Sequence, residues 1–113
     1  GRSFFLTGIE IALYHHEKYN GKGYPYGLKG DEIPLSARIV SVADIFDALT
    51  SKRPYKPAYS IEQSLSIIKQ KRGKCLDPDV VDAFFACKDK IVQIYNELFY
   101  DYESKYNKQG FAL

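Results

Sequence analysis

Apolar residues recur along this chain at intervals of three and four, in blocks separated by stretches rich in glycine or proline. Ile9, Leu13 and His16 fall at helical spacing, with Phe5 and Ala12 on a neighbouring flank, which predicts a helix from about Phe4 to Glu17. Asn20-Gly21 and the glycines at 23, 27 and 30 then mark a turn-rich loop reaching to about Glu32. A second helix opens with Pro34 in its first turn, where a missing amide costs nothing. It carries Ala37, Val40, Ala43, Asp44 and Ala48 on one side and Ile39, Val42, Phe46 and Leu49 on the other. A helix apolar nearly all round is expected to be buried among others.

Pro54 and Pro57 interrupt the pattern between Ser51 and Tyr59. Ser60-Ile61-Glu62-Gln63 then reads as a capping box, in which serine and glutamine satisfy the first free amides of a new helix. Gly73 is the natural stop of that helix. Asp77-Pro78 starts another, with aspartate at the cap and proline at the first helical position. This one carries Val81, Phe84 and Phe85 inward and runs to about Tyr102, with room for one break; the polar stretch Glu103 to Leu113 is expected to fray. No alternating strand pattern of useful length occurs, so the predicted fold class is all-α, in one unit without repeats.

Composition narrows this little. With 45% hydrophobic and 27% charged residues over 113 positions, the chain is ordinary globular material with a modest core. A net charge of +2 is too small to argue for DNA or a membrane surface as a partner. Cys75 and Cys87 form no disulfide framework and read as reduced cytoplasmic thiols, Cys87 as a helix-core residue. No run approaches a membrane span and no signal-peptide pattern is visible. The chain starts at Gly1 and has no methionine, which is expected of a processed product or a fragment.

The chemistry is concentrated around His15 and His16, the only two histidines. Adjacent residues on a helix point about 100° apart, which suits two ligands serving two metals, or one ligand and one substrate contact. The bland alternative is a helix C-terminal cap beside a surface group. Asp44 lies in a stretch otherwise suited to burial, and a buried carboxylate needs a cation or strong donors. Its structural alternatives are an ion pair with Arg38 or a network with Asp47. Asp47 is a second acid three residues on, and the pair repels unless something positive lies between. A divalent cation with imidazole and oxygen ligands answers that need. Arg53 and Lys56, flanked by prolines, read as a phosphate-facing pair or as a solvated connection. Tyr24 and Tyr55 offer flat faces either for stacking on a base or for packing.

Order and spacing across this block carry a resemblance. His15-His16-Glu17, Gly23-Tyr24-Pro25 and Gly27-Leu28-Lys29-Gly30-Asp31-Glu32-Ile33-Pro34 come first. Ala37-Arg38-Ile39, Ala43-Asp44-Ile45-Phe46-Asp47-Ala48-Leu49 and Arg53-Pro54-Tyr55 follow. The run closely resembles the HD-GYP group of metal-dependent phosphohydrolases, and Leu76-Asp77-Pro78 with the helix after it extends the likeness, so that it covers about residues 5–85. Residues 86–113 match nothing in that group. Asn20 stands where the group often has aspartate.

The resemblance implies a helical bundle of the HD-domain type, holding two or three divalent metal ions, iron or manganese, and hydrolysing the bacterial second messenger cyclic di-GMP to pGpG or GMP. Carried over by position, His15, His16 and Asp44 match metal ligands, with Glu17 a further candidate. Arg53 and Lys56 match phosphate contacts, and Tyr24-Pro25 the loop beside the pocket. The group also has an upstream His-Asp pair and another metal histidine, and this chain has no third histidine. It therefore reads as the C-terminal half of such a domain, with little activity or metal occupancy expected of it alone. The rival readings are a module that binds cyclic dinucleotides or a protein partner without hydrolysis, and a homodimer formed through an apolar face that absent helices would otherwise cover.

Overall fold

The computed structural model describes residues 3–52 and 54–106. Its elements are helices throughout: α1 (Phe4–Tyr14), α2 (Leu35–Thr50), α3 (Ile61–Gln70), α4 (Pro78–Ala86) and α5 (Lys88–Tyr106), with one 3-10 turn at Gly30–Glu32. No strand occurs among the described residues, and none of their helices is long and apolar enough to cross a membrane.

The local signals act as read. The Ser60 hydroxyl accepts from the Gln63 amide at 3.1 Å, and the Gln63 side chain accepts from the Ser60 amide at 3.0 Å. Asp77 caps α4 through the amides of Asp79 and Val80, with Pro78 at the first position. Ends differ by a turn. α1 stops at Tyr14 rather than Glu17, because the chain folds back into the glycine loop directly after His15. α3 stops at Gln70, and Gly73 (φ +77°) shapes the following turn instead of the cap itself. The break after α4 falls at Cys87, which is exposed rather than in a helix core, because it caps α4 on the solvent side. Glu103 to Tyr106, expected to fray, continue α5; residues 107–113 lie outside the described residues.

α2 is the spine, packing on α1, α3 and α4. Val42 and Phe46 from α2 meet Ile68, Leu76 and Val81 to form the core, with Phe84, Phe85 and Ile91 half-buried against it. The Phe46 ring lies 5.5 Å from Phe84 and 5.9 Å from Tyr95, which ties α4 and α5 to the spine. The expectation that α2 is enclosed on all sides fails: Ala37, Val42, Phe46 and Thr50 are buried, but Ile39, Ala43, Asp44 and Asp47 are exposed. These four residues leave part of the helix surface open to solvent.

A polar latch fixes the spine to α4. Arg38 donates from Nε to the Ile33 carbonyl at 2.8 Å and from Nη1 to Asp77 Oδ2 at 2.6 Å. Arg38 is thus committed to Asp77 and not to Asp44. Burial pushes the Asp77 carboxyl up, but the Arg38 hydrogen bond, the Val80 and Asp79 amides and the Arg38 charge outweigh it and hold the group below its ordinary value. An exposed bidentate pair, Arg72 with Asp82 at 2.7 and 2.8 Å, adds a second tie between the α3–α4 turn and α4.

Candidate metal centre

His15 follows the last turn of α1, and its ring is fixed by a short contact. Nδ1 lies 2.8 Å from the Ile11 carbonyl, which can only accept, so Nδ1 carries a proton, and Nε2 is the nitrogen of the neutral ring that offers a lone pair. A histidine bonded in this way through one nitrogen is prepared to ligate a metal through the other. His16 stacks beside it, with ring centroids 3.9 Å apart and planes 40° from parallel. The Ser41 hydroxyl, on α2, donates to the Ala37 carbonyl at 2.9 Å and lies 3.3 Å from the His15 carbonyl, bridging the spine to the histidine segment.

These groups open onto one cleft of about 300 Å³, whose walls include His15, His16, Lys18, Ser41, Asp44 and Cys75. The cleft thus brings together the three residues that the sequence pattern singled out as ligands. Asp44 carries no hydrogen bond or ion pair among the described residues, yet it is exposed, so the reason to expect a cation beside it is the cleft it shares with the histidines and not its burial. Imidazole nitrogen and carboxylate oxygen suit iron, manganese or zinc. Among the described residues, however, no three His, Cys, Asp or Glu side chains converge closely enough to hold an ion. The donors fit a metal centre as one wall of it.

Glu17 also borders the cleft, and the other expected site residues among those described do not. The Glu17 side chain is turned to the loop: the residue is 3% exposed, and its two carboxylate oxygens accept the amides of Tyr26 at 2.8 Å and Leu28 at 2.7 Å. Lys56 does not line the cleft; its ammonium sits 4.9 Å over the Tyr59 ring. Arg53 lies outside the described residues. Tyr24 is exposed and stacks on His16 at 4.9 Å and 18°, ahead of a cis bond to Pro25; Tyr55 is exposed.

The cleft residues that sequence reasoning missed include Lys18, Ser41 and Cys75. Ser41 was findable, three residues before Asp44 and so on the same helical face. Cys75 was not, since it arrives from beyond α3, where its carbonyl accepts the Tyr19 amide at 3.1 Å.

Comparison with known proteins gives the family. The sequence pattern described as HD domain matches residues 3–80. A cyclic di-GMP phosphodiesterase response regulator of Xanthomonas campestris pv. campestris is 50% identical over 91 residues, 80% of this chain and 24% of that protein. A cyclic di-GMP phosphodiesterase of Vibrio cholerae is 50% identical over 92 residues, 81% of this chain and 19% of the relative. One from Thermotoga maritima is 49% identical over 88 residues, 78% and 24% respectively. The chain therefore spans a quarter or less of the length of these relatives. Helical throughout its named elements and matched over most of its length, the chain belongs to the HD domain family.

Proposed function

We propose that the protein carrying this chain is a divalent-metal-dependent phosphodiesterase of the HD-GYP type, acting in the cytoplasm on cyclic di-GMP and releasing pGpG or GMP. In this reading the chain is the C-terminal half of the catalytic domain. The observation that carries it is the shared cleft: His15 with Nε2 free, His16 beside it and Asp44 with them. The relatives described above are named as cyclic di-GMP phosphodiesterases, which supports the substrate class.

His15, His16 and Asp44 are the residues that would hold the metal, with iron or manganese the expected ions, two or three in the complete domain. When bound, such cations supply Lewis acidity, making water nucleophilic at neutral pH and drawing charge from phosphoryl oxygens. The protein's own part is to hold the ligands still. The Ile11 carbonyl sets the His15 tautomer, and Ser41 keeps the spine in register with the histidines. Tyr24 and Pro25 border the substrate side, with the Tyr24 ring as a stacking face for a base. Arg53 and Lys56 neutralise charge on the phosphate, which for Lys56 requires leaving its seat over Tyr59.

The test pairs the 113-residue chain with the longer protein. Manganese- or iron-loaded longer protein is expected to linearise cyclic di-GMP and to lose that activity in His16→Ala and Asp44→Asn, while the chain alone binds less than one ion and turns over little. Absence of turnover by the loaded longer protein overturns the enzyme. Stoichiometric metal and turnover by the chain alone overturn the half-site.

An assembly role is favoured by one separate observation. α1 has no buried residue and exposes Phe4, Phe5, Leu6, Ile9 and Leu13. A second copy covering this face predicts a light-scattering mass that rises with concentration, and a monomer mass throughout removes that role.

A further inference from the structure

We propose that Glu17 is the positioning residue that holds Tyr24 against His16, so that phenol and imidazole form one wall of the substrate site. The role in substrate binding rests on the phosphodiesterase reading; the coupling itself rests on geometry. The carboxylate of a residue only 3% exposed, with no cation paired to it among the described residues, needs strong donors. Glu17 finds them in two main-chain amides, Tyr26 to Oε2 at 2.8 Å and Leu28 to Oε1 at 2.7 Å. Both lie just past Tyr24-Pro25, so the loop cannot lift without breaking two charge-assisted bonds.

The near side of the loop is pinned as well. The Gly21 amide donates to the Lys18 carbonyl at 2.8 Å and the Tyr24 amide to the His16 carbonyl at 3.3 Å. At Gly23 the backbone runs so close that a Cβ would stand 2.4 Å from the Lys18 nitrogen and 2.5 Å from the His16 oxygen. Only glycine allows that approach. Tyr24 itself is 59% exposed, and its ring has no other aromatic partner among the described residues. Its place over His16 is therefore inherited from the loop backbone, and the loop is held to the histidine segment by Glu17. Carboxylate, loop and ring form one mechanical chain that returns to the residue next to where it began.

Nuclear magnetic resonance of the His16 ring in the 113-residue chain tests this without metal or substrate, so its outcome is independent of whether the phosphodiesterase reading stands. Tyr24→Leu gives the unstacked position of the His16 ring C–H signals. Glu17→Gln is expected to move them at least halfway there, and the double variant no farther than Tyr24→Leu alone, the non-additivity of two residues acting through one contact. The His15 signals stay near their wild-type positions. Unshifted His16 signals in folded Glu17→Gln, or additive shifts in the double variant, overturn the proposal. Should Glu17→Gln not fold, Glu17→Asp, which keeps the charge but shortens the reach, carries the same comparison with the same overturning result. In protein that turns over cyclic di-GMP, Glu17→Gln is expected to raise KM about tenfold, the scale of one lost aromatic contact, with kcat held within about threefold. A fall in kcat at unchanged KM overturns the wall role.

Discussion

The two faces of α2 follow opposite rules. One buries Ala37, Val42, Phe46 and Thr50 against α3, α4 and α5, so that position is decided by packing. The other presents Asp44 and Asp47 to solvent, with α1 beside it burying nothing. The chemistry proposed for this chain lies on the second face, and the rigidity of that face comes from the first. A site needs donors left unspent by the fold, and a carboxylate satisfied inside the core could ligate nothing; it also needs those donors on an element that cannot drift. One helix meets both needs by dividing them between its sides.

That division is open to attack, and the packed side should respond most. Phe46→Ala removes a ring shared with Phe84 and Tyr95 and is expected to cost about 4 kcal/mol in urea unfolding. A loss under about 1 kcal/mol would mean that the core is looser than its contacts imply. Arg38→Met leaves the Asp77 carboxylate buried without its cation and is expected to cost about 3 kcal/mol.

The same latch gives a pH signature. The folded pKa of Asp77 lies below its unfolded value, so its stabilisation is complete above about pH 4 and disappears as pH falls through the lower folded value. Thermal melts of wild type should therefore drop on acidification below about pH 4, and Asp77→Asn should be less stable at neutral pH with a flatter acid limb. Parallel acid limbs would remove Asp77 as the cause.

The open side should hardly register in stability. Phe5→Ser, at a ring 73% exposed, is expected to stay within about 0.5 kcal/mol of wild type. Asp44→Asn should do the same in urea, while lowering manganese affinity by about tenfold or more. Unfolding on the scale of Phe46→Ala would show that Asp44 serves the fold and would erase the contrast between the faces.

Much of this was legible in the residues. Ser60 with Gln63 and Asp77 with Pro78 mark two helix starts correctly, because a cap is satisfied within three residues of itself. The His15-His16 segment, the glycine loop and Asp44 were identifiable from order and spacing alone, and the cleft unites the three ligand candidates. What failed did so at longer range. Glu17 looks like a further ligand in the chain but is committed to amides nine and eleven positions on. Asp44 sits among apolar neighbours in sequence and in the open in space, since periodicity shows that a face is apolar without showing what covers it. Cys75 joins the cleft only because the turn after α3 returns to Tyr19.

By itself, then, the sequence determined the helices, their caps and the turn glycines, all set by side-chain type and by contacts a turn or less away, and its resemblance to a family supplied the chemistry proposed for His15, His16 and Asp44. Tertiary structure alone decided which carboxylate remained free, which face of α2 remained open and which ring lay over His16. Those outcomes depend on distant segments competing for the same donors and the same surface, and no local interval encodes which segment prevails.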